Sequence, residues 1–175
     1  MITFIKKYPR MSALAFVLAV ATPLMLSPLG ALALNPFGGE RIMVMDGLLW
    51  YSADYIYSVF EQLGPDGRMV YLIFHIFDYV FAFSYALLMM TLIKPLAKAK
   101  WQWLVFPILP AIFDVIENTL IQVMSAQFPN INQALAQTTS VITSLKWLSF
   151  LLFIVAFVVL LVIKKKNKRR GNFAP

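Results

Sequence analysis

Apolar residues in this chain gather into four long runs, residues 11–34, 69–93, 104–124 and 141–163. A bilayer-spanning helix needs about 20 mostly apolar residues, so each run predicts one span. The connections, residues 35–68, 94–103 and 125–140, are short enough to make neighbouring helices antiparallel. The pattern predicts an all-α, polytopic membrane protein. Its fold is an antiparallel four-helix transmembrane bundle, a single membrane domain over residues 1–175 with a basic tail at 164–175.

The first run also fits a secretory signal peptide. Lys6, Lys7 and Arg10 precede an apolar core, and Ala31-Leu32-Ala33 supplies a small-residue cleavage pattern. That core exceeds the 7–15 residues of a usual signal h-region, which favours a retained helix. Pro23 and Pro28 should kink its distal half.

Within the first connection the period changes. Asn35-Pro36-Phe37-Gly38-Gly39 is turn chemistry. Asp46 suits an N-cap, and Gly64 suits a stop before Pro65-Asp66-Gly67. Between them Leu49, Ile56, Phe60 and Leu63 recur at helical spacing, beside Trp50, Tyr51, Tyr55 and Tyr57. A short amphipathic helix over residues 46–63 is expected along the outer interface. It would serve as a lid on the helix ends or a gate over a site beneath.

Composition agrees with the pattern. Apolar residues make up 61% and charged ones 13%, against about a quarter charged in a soluble chain, and mean hydropathy is +0.76. Such a chain cannot cover a water-facing surface. The absence of Cys removes thiol catalysis and thiolate metal sites, and a single His excludes bis-histidine haem ligation. No cofactor is expected.

The net charge of +7 could suggest nucleic acid, but position decides. Twelve of the fifteen Lys and Arg residues fall before the first run, in the 94–103 connection, or in the Lys164–Arg170 tail. All three places lie on one side of the predicted bundle. Positive charge stays in the cytoplasm, so both termini are expected there, in a bacterial inner membrane. The tail can touch anionic headgroups, and no nucleic-acid partner is expected. Trp101, Trp103 and Trp147 sit near predicted span ends, where indoles favour the interface.

Five ionisable residues fall inside the predicted spans: His75, Asp78, Asp114, Glu117 and Lys146. Each costs several kcal/mol there unless it has a partner or a purpose. Tyr71, His75, Asp78, Ala82 and Tyr85 form one stripe of the second span. Ala111, Asp114, Asn118, Ile121 and Ser125 form one on the third, with Glu117 beside it, and Thr139, Thr143 and Lys146 share a face of the fourth. Lipid offers these groups no hydrogen bonds, so the stripes should point inward. At about 1.5 Å per residue, Asp78, Glu117 and Lys146 fall at roughly 8–14 Å depth from the outer side. Three carboxylates face one Lys and at most one imidazolium, so full ionisation leaves excess negative charge in a low-dielectric place.

Gly67-Arg68-x-x-Tyr71 leading to Asp78, Phe113-Asp114-x-x-Glu117-Asn118, and Lys146-Trp147 resemble motifs of a group of small, uncharacterised bacterial four-helix integral membrane proteins. The resemblance spans residues 63–147. It implies that fold and carries no activity.

The candidate cluster is therefore Tyr71, His75, Asp78, Asp114, Glu117, Asn118 and Lys146. The expected function is a pocket for a lipid-like or small hydrophobic ligand entering from the outer leaflet, since aromatics around a few polar anchors suit one. One alternative is a purely structural polar network in a membrane scaffold or partner subunit, held by interhelical hydrogen bonds. Another is a membrane-embedded metal-dependent or acid/base enzyme acting on a lipid, with His75, Asp78, Asp114 and Glu117 as ligands or as acid and base. Proton-coupled transport is disfavoured, because the inner halves of the second and fourth runs are unbroken Leu, Met, Val and Phe. Expected partners are the lipid bilayer, the ligand, and a second copy or a partner membrane protein. No catalytic, cofactor or metal residue is assigned.

Overall fold

The structure, a computed structural model, describes residue 37, residues 45–96 and residues 101–171, with only the backbone at residues 46 and 168–171. The expected first span, its basic flank and the alternative signal peptide lie outside the described residues. Within them the chain forms three long helices and no strand: α1 (Ala53–Ile93), α2 (Val105–Gln127) and α3 (Gln133–Gly171). All three are long and apolar enough to cross a membrane. The four expected spans are thus three among the described residues.

α1 is two helices joined at a break. Gly64 adopts φ 61°, ψ −176°, a region that side chains essentially exclude, and Pro65 restarts the helix with its φ already fixed. The guanidinium of Arg68 donates to the Phe60 carbonyl at 3.1 Å, satisfying one acceptor that the break leaves open. The stretch before Gly64 is the helix expected over 46–63, but it starts later. Ser52 is its N-cap, accepting from the Tyr55 amide at 3.1 Å, whereas residues 45–47 form a separate 3-10 turn.

The late start has a physical reason. Side chains of α3 take the backbone groups of residues 48–51. Trp147 Nε1 donates to the Leu48 carbonyl at 2.9 Å, Ser144 Oγ to the Leu49 carbonyl at 2.8 Å, and the Tyr51 amide donates to Ser140 Oγ at 3.0 Å. Leu49, placed on the buried stripe by its spacing, is 67% exposed. Trp147 lies well inside α3, as a clamp on this strap.

The 125–140 connection also contracts. α2 runs to Gln127 and α3 begins at Gln133. Asn132 caps α3 by accepting from the Leu135 amide at 3.0 Å. The polar residues that follow look loop-forming, yet Thr138 and Thr139 return their hydroxyls to the carbonyls of Ala134 and Leu135. On the other connection, Trp101–Leu104 forms a 3-10 turn leading into α2.

α2 is central and packs along both neighbours, while α1 and α3 touch less. Contacts of Asp78 with Asn118 and Tyr85 with Asp114, then Glu117 with Thr143 and Asp114 with Lys146, fix antiparallel order throughout. Lys94 and Lys164 therefore lie at the same end, called here the tail end. At the opposite, arm end, Ile56, Phe60 and Leu63 of the 53–63 arm pack on Tyr71, Phe74, Ile121 and Met124. At the tail end Ile93 packs with Phe153, Ala156 and Leu160. The polar stripes are buried, while Ile76, Phe83, Val115, Leu151 and Val162 are exposed. Contiguous apolar surface of this extent is rare on a protein surrounded by water.

Candidate functional site

All seven residues of the sequence-derived cluster are buried, each at most 4% exposed. Some of them meet in an ion-pair cluster and others line a cavity. α2 carries the middle of it, because Asp114, Glu117 and Asn118 share its inward face at helical spacing.

The first part is an ion-pair cluster. Lys146 Nζ lies 2.5 Å from Glu117 Oε2 and 3.2 Å from Asp114 Oδ1. Each carboxylate is held again on its far side. Thr143 Oγ1 donates to Glu117 Oε1 at 2.6 Å, and the Tyr85 hydroxyl donates to Asp114 Oδ2 at 2.9 Å. The Tyr51 hydroxyl, 3.2 Å from Thr143 Oγ1, links the strap to the same network. Glu117 and Thr143 have no exposed surface, so nothing from outside reaches them without separating helices. The ammonium stands between Asp114 and Glu117, where a metal bridging them would have to sit. Among the described residues no three of His, Asp or Glu converge in a way that could hold one.

Asn118 Nδ2 donates to Asp78 Oδ2 at 2.6 Å, tying α1 to α2. Further toward the arm end, the rings of Tyr71 and His75 lie 4.3 Å apart, and Phe74 flanks both.

The second part is a cavity of about 220 Å³ between the start of the Pro65–Ile93 stretch and the last turns of α2. Tyr71 and His75 line it, and so do Arg68, Gln122 and Ser125, with Met69 and Leu72 as apolar wall. Gln122 Nε2 is buried with no hydrogen-bond partner among the described residues. The Arg68 guanidinium bonds the Phe60 carbonyl and lies 4.8 Å from the Phe128 ring centroid, and no carboxylate pairs with it among the described residues. No Asp or Glu is among the described residues that line the cavity.

A larger groove of about 380 Å³ lies further along the same α1–α2 seam, between Tyr79, Phe83 and Met90 on one side and Ile108, Ile112 and Ile116 on the other. Between cavity and groove, Tyr79 and Thr119 share a hydrogen bond of 3.0 Å.

Sequence reasoning found the stripes but omitted Arg68, Tyr85, Gln122 and Thr143 from the cluster. The signal was present. Arg68 lies one step before Tyr71 on the stripe, Tyr85 lies two steps beyond Asp78 through Ala82, and Gln122 lies one turn beyond Asn118. Compared with protein-family models, curated proteins and solved structures, the chain matches none, so its resemblance to small four-helix membrane proteins rests on those short motifs alone.

Proposed function

We propose that this chain is a multi-pass protein of the bacterial inner membrane with four spans and both termini in the cytoplasm, and that it binds a lipid-like amphiphile from the outer leaflet. The exposed apolar faces and buried polar stripes support embedding in lipid. Lys94 and Lys164–Lys166 at one end support a cytoplasmic tail end, which puts the arm end outside.

The observation that carries the binding reading is the cavity at the arm end. Polar side chains from two helices converge there beside apolar wall, and a buried amide is left without a partner among the described residues. An orphaned buried polar group costs about 1–3 kcal/mol, a cost that a ligand supplying an acceptor would remove. The 53–63 arm packs on Tyr71 and Ile121 of the cavity wall and joins it through the Gly64–Pro65 break.

Mass spectrometry of organic extracts from the purified protein tests this. A lipid-like molecule that survives size exclusion and is lost on Leu72→Trp, which fills the cavity, is the expected result. Protein that carries no such molecule, with a Leu72→Trp variant indistinguishable from wild type, overturns it.

A second reading has its own observation. The ion-pair cluster is satisfied from within, by one ammonium and two hydroxyls. This supports a purely structural role for Asp114, Glu117 and Lys146, in a scaffold or partner subunit. The two readings are compatible, since they concern different residues.

A further inference from the structure

We infer that the ligand has an anionic, acceptor-rich headgroup, a carboxylate or a phosphate, and one long hydrocarbon chain lying along the α1–α2 seam. This rests on the binding reading above and names the chemistry it selects.

The headgroup follows from the charge of the lining. Arg68 brings a guanidinium with no carboxylate partner among the described residues, and Gln122 brings an unsatisfied amide donor. Tyr71 and Ser125 add hydroxyls, and no acid lines the space among the described residues. Charge-assisted bonds from a guanidinium to carboxylate or phosphate are stronger than neutral ones. A cationic headgroup would meet Arg68 and find no counter-charge.

The chain follows from size and continuity. A volume near 220 Å³ is below the range of about 300–1,000 Å³ of pockets that enclose a whole ligand. It holds a headgroup and leaves the rest outside. The adjacent groove of about 380 Å³ lies directly along the seam, and its lining is aliphatic and aromatic apart from the Tyr79 hydroxyl. From Leu72 to Met90 the helix rises about 27 Å, a length that suits one extended acyl chain. The Tyr79–Thr119 bond sits at the junction, where it can meet the polar linkage between headgroup and chain.

The test uses the full-length protein in detergent, with native mass spectrometry reading competition among three probes: phosphatidylglycerol, oleate, and diacylglycerol with the same chains as the phospholipid. Preference for phosphatidylglycerol or oleate over diacylglycerol by about tenfold or more is expected, and which of the two is retained tells phosphate from carboxylate. Arg68→Gln should abolish that preference and Gln122→Leu should reduce it. Gln122→Leu is the safer variant, because Arg68 also supports the helix break. A diazirine placed mid-chain on the retained probe should label residues lining the 79–90 and 108–116 walls.

Equal retention of all three probes would overturn the headgroup assignment and leave the binding reading standing. Labelling spread over the exposed face of α3 would overturn the seam. Retention of no probe at all would remove the binding reading itself.

Discussion

The ion-pair cluster around Lys146 and the cavity beside Arg68 each bring a cationic side chain together with hydroxyls. In the cluster, α3 delivers one ammonium between two carboxylates of α2, and Tyr85 and Thr143 take the remaining carboxylate oxygens. In the cavity, α3 contributes nothing to the lining, and donors from α1 and α2 converge without an acid among the described residues. The difference teaches where to look for function in a polar membrane core. A buried charge met by its own protein holds helices in register, whereas a donor left unmet is where a ligand gains affinity.

The comparison can be broken first at Lys146. Replacing it by Met leaves Asp114 and Glu117 buried without their cation, and removing one partner of a buried pair typically costs about 3–5 kcal/mol. Thermal unfolding in detergent should fall steeply. The triple variant Asp114→Asn, Glu117→Gln, Lys146→Met should recover most of the loss, because no uncompensated charge remains. Recovery without any change in bound ligand would separate the cluster from the cavity.

Gly64→Ala comes next. A Cβ at Gly64 meets no atom within 4 Å, so the cost is conformational alone. Backbone held in such a region by a residue with a side chain costs about 1–3 kcal/mol. The arm should loosen, read as faster amide exchange over residues 53–63 with little change in α3. Unchanged exchange would mean that the arm tolerates the strain.

Thr143→Val removes one hydroxyl from Glu117 and should cost about 1 kcal/mol or less, the usual worth of an interhelical hydrogen bond in a membrane. A loss comparable to that of Lys146→Met would mean that the cluster acts as a cooperative unit. The smallest effect on stability is expected from Gln122→Leu. It deletes an unpartnered buried amide, so stability should hold within about 0.5 kcal/mol or rise slightly, while retention of an anionic lipid drops. A large loss of stability would place Gln122 among the structural residues.

Much of this fold was legible beforehand, for reasons that can be named. Gly64-Pro65 marks the break because one residue tolerates the backbone that the other's ring then restarts. The Tyr71–Tyr85 stripe pointed inward because nothing in lipid can satisfy it. Residues 48–51 and 133–140 were misjudged for the opposite reason. Their state depends on groups far along the chain, Trp147, Ser144 and Ser140 for the first, and on hydroxyls returned to the helix's own carbonyls for the second.

By itself the sequence determined where the long apolar helices fall, which faces carry polar groups, and at what level along each helix they lie. Periodicity and the cost of burying polarity in oil act within one helix, so they can be read locally. Only the tertiary structure decided that Lys146 meets Asp114 and Glu117 while Asp78 bonds Asn118, and that Arg68 lines one cavity with the Gln122 amide, which has no partner among the described residues. Those outcomes depend on distances of a few ångströms between helices, and no spacing within one helix carries that information.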